Sequence, residues 1–124
     1  MPQIDPAPVS RFWSLLLWAA AAYNGLIGVP GMMTGATSAD RITALLVACF
    51  GIVYAIAGTD PRRYAPMLWA GMVGKLGIIA LLWPDLMAGR TPPGTGLILA
   101  GDALFTLGFV ALLLRLRRTS EPSA

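Results

Sequence analysis

Histidine is absent from this chain, and cysteine occurs once, at Cys49. The first absence removes the commonest metal ligand and the commonest general base, so zinc sites of the usual types and haem held by an axial histidine are not expected. The second leaves no intrachain disulfide and no dithiol redox motif. Charge is scarce too. Only 12% of the residues are charged, where a soluble domain has about a quarter. Hydrophobic residues make up 56%. That balance excludes an ordinary soluble domain and places the chain in the membrane class, as one integral membrane domain over residues 1–124 with no room for a soluble core beside its spans.

What is present is a series of apolar runs, each near the ~20 residues a bilayer requires. Spans are predicted at about 12–33, 41–58, 64–83 and 96–114, with short disordered ends at 1–10 and 117–124. Between them stand the sequences GATSAD, TDPRR and PDLMAGRTPPGT. Within the second of these, Asp60-Pro61 is a natural turn and helix start. Thr37-Ser38-Ala39 mimics a signal-peptide cleavage site. The run before it, however, exceeds the roughly 7–15-residue core of a signal peptide, so it reads as a span.

Connections this short predict antiparallel neighbours. Arg11, Arg62, Arg63, Arg115, Arg117 and Arg118 fall on one side, against Arg41 and Arg90 on the other. Six basic residues against two predict both termini in the cytoplasm, with the chain a multi-pass protein of the cell (inner) membrane. Arg115-Leu116-Arg117-Arg118 reads as a topology anchor with affinity for anionic lipid headgroups, not as a nucleic-acid site. Trp13, Trp69 and Trp83 fall near span ends, as an aromatic belt requires, with Tyr64 at an interface and Trp18 deeper. An offset of 55 residues aligns Arg62-Arg63 with Arg117-Arg118, Phe50 with Phe105 and Tyr54 with Phe109, a pattern consistent with a duplicated helix pair, although the first and third spans do not match.

Two charges interrupt the apolar runs, Lys75 in the third and Asp102 in the fourth. A charge at the bilayer centre costs about 2.5–3.5 kcal/mol on insertion scales, so both require a reason. Lys75 lies eight residues before Trp83 and Asp102 six after Gly96, which is roughly 12 Å and roughly 9 Å from the same membrane face at 1.5 Å per residue. The stem of a lysine spans that difference. Three readings compete: a self-neutralising structural pair, a substrate or proton pathway, and a lysine that snorkels or is neutral. Asn24 and Tyr54 are the other polar groups expected to face inward, so Asn24, Tyr54, Lys75 and Asp102 form the candidate polar centre.

Glycine supplies the remaining signals. Gly71, Gly74 and Gly77 surround Lys75, which predicts close approach by a neighbouring helix. In the second span Ala44, Ala48, Gly51, Ala55 and Gly58 share one face, a packing seam either within the bundle or between copies in a homo-oligomer. In the first span, Pro30 among Gly25, Gly28 and Gly31 predicts a broken C-terminal end whose freed carbonyls Asn24 could satisfy.

Asn24, Gly25 and Gly28 in the first span, Gly74-Lys75 in the third and Asp102 in the fourth together resemble the DoxX-like families of small four-helix bacterial membrane proteins. In topology the resemblance covers nearly the whole chain. It implies an accessory role beside membrane complexes, some of them redox complexes, but the cysteine pairs of redox-active relatives are missing here. The size and span count also match small multidrug transporters, whose essential acid in the first span is replaced by Asn24 in this chain.

The expectation is therefore an all-α, antiparallel four-helix transmembrane bundle. It is not an enzyme and has no cofactor or metal. Its surroundings are the lipid bilayer and either a membrane complex or further copies of itself. A small oligomeric transporter or proton-coupled carrier is the alternative.

Overall fold

The computed structural model describes residues 10–120. The chain is all-helical in these residues: α1 (Arg11–Thr34), α2 (Ser38–Thr59), a short α3 (Pro61–Tyr64) leading through a 3-10 turn at Ala65–Met67 into α4 (Leu68–Met87), and α5 (Thr95–Ser120). Four segments are long and apolar enough to cross a membrane, namely Arg11–Thr34, Ser38–Thr59, Pro61–Met87 and Thr95–Arg118. Many of their large side chains point outward, including Leu26 at 76% exposure, Leu81 at 80% and Leu97 at 80%. So much exposed apolar surface is foreign to a soluble monomer and is what a chain solvated by lipid presents, which points to a multi-pass membrane protein.

Helix ends follow local chemistry and move the predicted boundaries. The second span starts at Ser38 rather than 41, because Thr37 and Asp40 form a capping box. The Thr37 hydroxyl accepts from the Asp40 N–H at 3.1 Å, and the Asp40 carboxylate accepts from the Thr37 N–H at 3.0 Å. The third span is split. Asp60 caps α3 by accepting from the Arg63 N–H, Pro61 takes the first helical position, and α4 proper begins only at Leu68. At its far end α4 continues past Trp83 through Pro84 to Met87, so the linker is shorter than PDLMAGRTPPGT. The Ala88 N–H closes that turn onto the Pro84 carbonyl at 3.0 Å.

The broken end predicted for α1 is likewise corrected. The helix is continuous through Pro30 to Thr34, and the Thr34 hydroxyl donates back to the Pro30 carbonyl at 3.0 Å. A proline removes one ladder bond and need not stop a helix whose flanking turns are packed. The expected disordered ends at 1–10 and 117–124 lie largely outside the described residues. Within them, Ser10 caps α1 and α5 carries Arg117 and Arg118 as regular helix to Ser120.

The helices associate as two pairs, α1 with α2 and α4 with α5, and the α1–α2 pair is the more intimate. A Cβ built at Gly28 would fall 2.6 Å from the Ala48 nitrogen and 2.7 Å from the Ala44 carbonyl oxygen, so at this crossing only glycine lets the two backbones meet. Gly51 faces the Ala21 carbonyl and Asn24, Gly58 lies against the Trp18 indole, and the Trp18 N–H donates to the Ala55 carbonyl at 3.2 Å. The seam Ala44, Ala48, Gly51, Ala55, Gly58 is therefore packed on α1 of the same chain.

The buried core occupies one half of the bundle. Leu17 and Ala20 of α1, Tyr54 and Ala57 of α2, Leu68 and Met72 of α4, and Phe109, Leu112 and Leu116 of α5 form one cluster. The residues aligned by the 55-residue offset stack here. Tyr54 and Phe109 have ring centroids 5.0 Å apart, and Phe50 and Phe105 extend the column at either side. Tilted aromatic pairs at this separation contribute about 0.5–1.5 kcal/mol beyond area burial.

Candidate functional site

Immediately beyond that core, Lys75 projects from α4 with 6% exposure. Its ammonium donates to Asp102 Oδ1 of α5 at 2.7 Å and to Asn24 Oδ1 of α1 at 3.3 Å. The Asn24 amide in turn donates through Nδ2 to the Val47 carbonyl of α2 at 3.0 Å. One polar chain thus touches all four spans. The Val47 carbonyl can take this bond because a carbonyl oxygen has two lone pairs and the helix ladder uses only one.

Aromatic faces complete the surroundings of the cation. The Lys75 nitrogen lies 5.4 Å from the Tyr23 ring centroid, 5.6 Å from that of Tyr54 and 5.9 Å from that of Phe105. Each is within the range in which a ring quadrupole attracts a cation. The Tyr23 hydroxyl donates to the Ile98 carbonyl at 2.6 Å, and Thr106 donates to the Asp102 carbonyl one turn back at 2.7 Å. The first bond ties α1 to α5, and the second stays within α5. Removing two charges from water costs several kcal/mol per ion, and their attraction offsets this only with good geometry and further hydrogen bonds. Here the pair has both.

Of the four predicted residues, Asn24, Lys75 and Asp102 are brought into direct contact, and Tyr54 joins them through its ring alone. Tyr54 is 1% exposed, and its hydroxyl, which makes no hydrogen bond among the described residues, is not sealed in protein, since no fully buried side-chain polar atom there lacks a partner. Tyr23 was missed. It adjoins Asn24 in sequence, and an aromatic hydroxyl in mid-span is the signal that could have found it. Phe105 and Thr106 follow Asp102 at spacings of three and four, so helical periodicity already placed them beside it.

The expectation of close helix approach around Lys75 needs correction. Only Gly71 is approached, by the ring and hydroxyl of Tyr54, whereas a Cβ at Gly74 or Gly77 would meet nothing within 4 Å. At Gly74 the missing side chain leaves room. It forms part of the wall of a cavity of about 360 Å³ between the two helix pairs. The polar cluster closes one end, with Tyr54, Lys75, Asp102 and Asn24, and the cavity extends to Thr43, Leu82 and Thr95 at the other. From Lys75 to Leu82 is seven residues, roughly 10 Å along the helix. Apart from the polar end, the wall is predominantly aliphatic and aromatic.

No family model, curated protein or solved structure matches the chain.

Proposed function

We propose that this chain is a non-catalytic, multi-pass protein of the bacterial cell (inner) membrane, an antiparallel four-helix bundle with both termini in the cytoplasm, acting as an accessory or assembly subunit of a membrane complex. The observation that carries this reading is the polar chain from Asp102 through Lys75 and Asn24 to Val47, which fastens four separate spans at one level. Among the described residues, every fully buried side-chain polar atom has a partner, as expected of a self-contained structural clasp. The connections Gly35–Thr37 and 88–94 are short, so little of the described chain stands outside the bilayer, and its work falls on lateral contacts within the membrane. The bias of six arginines against two supports the placement of the termini. The resemblance to DoxX-like proteins agrees with an accessory role.

The test is a double-mutant cycle on thermal stability in detergent, with Lys75→Leu, Asp102→Leu and both together. A structural clasp predicts strong loss in each single variant and substantial recovery in the double. Near wild-type stability in all three would defeat it.

The cavity beside the pair favours a second reading, a small oligomeric transporter or proton-coupled carrier. It predicts that reconstituted wild-type protein moves protons or solute across vesicles. It also predicts that folded Lys75 and Asp102 variants do not.

A further inference from the structure

The polar end of the cavity carries two hydrogen-bonding groups that the clasp leaves unused. Asp102 engages Lys75 through Oδ1 alone, and its Oδ2 makes no hydrogen bond among the described residues. The Tyr54 hydroxyl is in the same condition, with a proton to donate. Both residues are more than nine-tenths buried, with exposures of 8% and 1%, and both line the cavity. No fully buried side-chain polar atom among the described residues lacks a partner, so these two atoms are not sealed in protein but open to the cavity, where a ligand can satisfy both.

The chemistry of that ligand follows from charge and shape. Lys75 and Asp102 already neutralise each other, so a charged head group would leave net charge in a low-dielectric site, which is strongly unfavourable. An uncharged head must accept from Tyr54 and donate to Asp102, and a hydroxyl does both. The rest of the wall is predominantly apolar, the hydroxyls of Thr43 and Thr95 donating to the Ala39 and Pro92 carbonyls, and the roughly 10 Å between the cluster and Leu82 leaves space for one extended chain. A volume of about 360 Å³ lies at the low end for small-molecule sites. The rim includes exposed residues on three helices, namely Thr43 and Leu46 of α2, Gly74 of α4 and Ile98 of α5, so the cavity opens on the surface that lipid covers.

We propose that this cavity binds a single-chain, uncharged amphiphile with a hydroxyl head group, entering from the bilayer, with Tyr54 and Asp102 holding the hydroxyl and Gly74 leaving space for the chain. The site is independent of whether the protein is an accessory subunit or a carrier.

The experiment measures binding of radiolabelled 1-decanol to the protein in phosphatidylcholine nanodiscs, with empty nanodiscs correcting for partition into lipid. Unlabelled 1-decanol, decanoate and decyl methyl ether serve as competitors. The expected result is saturable binding of about one molecule per chain, with 1-decanol competing roughly tenfold better than the anion or the ether, the ratio expected for a hydrogen bond to a charged group. Gly74→Leu fills the cavity without touching the clasp and abolishes binding at unchanged thermal stability. Tyr54→Phe lowers the affinity for 1-decanol by roughly 2- to 10-fold. Binding no greater than in empty nanodiscs overturns the proposal. So does unchanged binding in Gly74→Leu, or decanoate competing as well as 1-decanol.

Discussion

The two halves of this bundle are built from the same kinds of residue and yet are packed oppositely. In one half, Leu17, Tyr54, Leu68, Phe109 and Leu112 are fully buried and contributed by all four spans. In the other, the two helix pairs part around a cavity of about 360 Å³, with Gly74 in its wall. The polar chain through Lys75 lies at the boundary. Lipid tails are as apolar as leucine, so no hydrophobic force drives one helix onto the next within a bilayer. Shape complementarity and polar contacts must do it. Where large side chains interlock the helices close, and where Gly74 offers no side chain to the facing wall a gap is left.

This contrast can be broken or sharpened by substitution. The largest effect is expected at the boundary, where Lys75→Leu strands the Asp102 carboxylate and costs about 3–5 kcal/mol, read as a loss of thermal stability that adding Asp102→Leu largely restores. Next comes truncation in the packed half. Phe109→Ala should cost toward the lower end of about 3–5 kcal/mol, because in lipid the cavity term remains while the water-transfer term does not. The equivalent cut in the hollow half, Leu82→Ala, should cost under about 1 kcal/mol, since that side chain already borders a void. Equal losses at both positions would show that the two halves are equally packed in the membrane.

A smaller effect separates packing within a helix pair from packing between pairs. Gly28 lies at the level of the hollow half, but its neighbours are the backbone of α2, atoms that cannot swing aside. Gly28→Ala should therefore cost about 1–3 kcal/mol by overpacking. Gly77→Ala, with nothing within 4 Å, should instead stabilise by about 0.5–1 kcal/mol through helix propensity. Parallel unfolding measurements would show opposite signs for the two glycines.

The sequence made legible the number of apolar spans and the positions of Lys75 and Asp102 along them, because the period and length of apolar runs and the cost of a buried charge are local or one-dimensional properties, whereas their pairing was one of three readings and the structure selected it. Helix ends were legible to within a few residues, and the errors have particular causes. Thr37 and Asp40 start α2 early through reciprocal capping, while Pro30 and Pro84 look like stops but are carried by intact turns on either side. The candidate site was legible in three of its members. Asn24 was placed in the polar centre but with a freed carbonyl of its own helix as one possible partner, and the structure gives it Val47 of the next one. Tyr23 stood in mid-span beside Asn24, but which neighbouring helix its ring would face is not written in its own helix.

What sequence alone determined is the class of this protein, because apolar runs of bilayer length are a property of the chain by itself, together with the presence of two lone charges that each needed a partner. What only the tertiary structure decided is what the glycines mean. Gly28 brings two backbones together and Gly74 holds a space open. Nothing in the residue distinguishes these outcomes, because a glycine specifies only the absence of a side chain, and whether that absence becomes a contact or a cavity depends on which residue of another helix arrives opposite it.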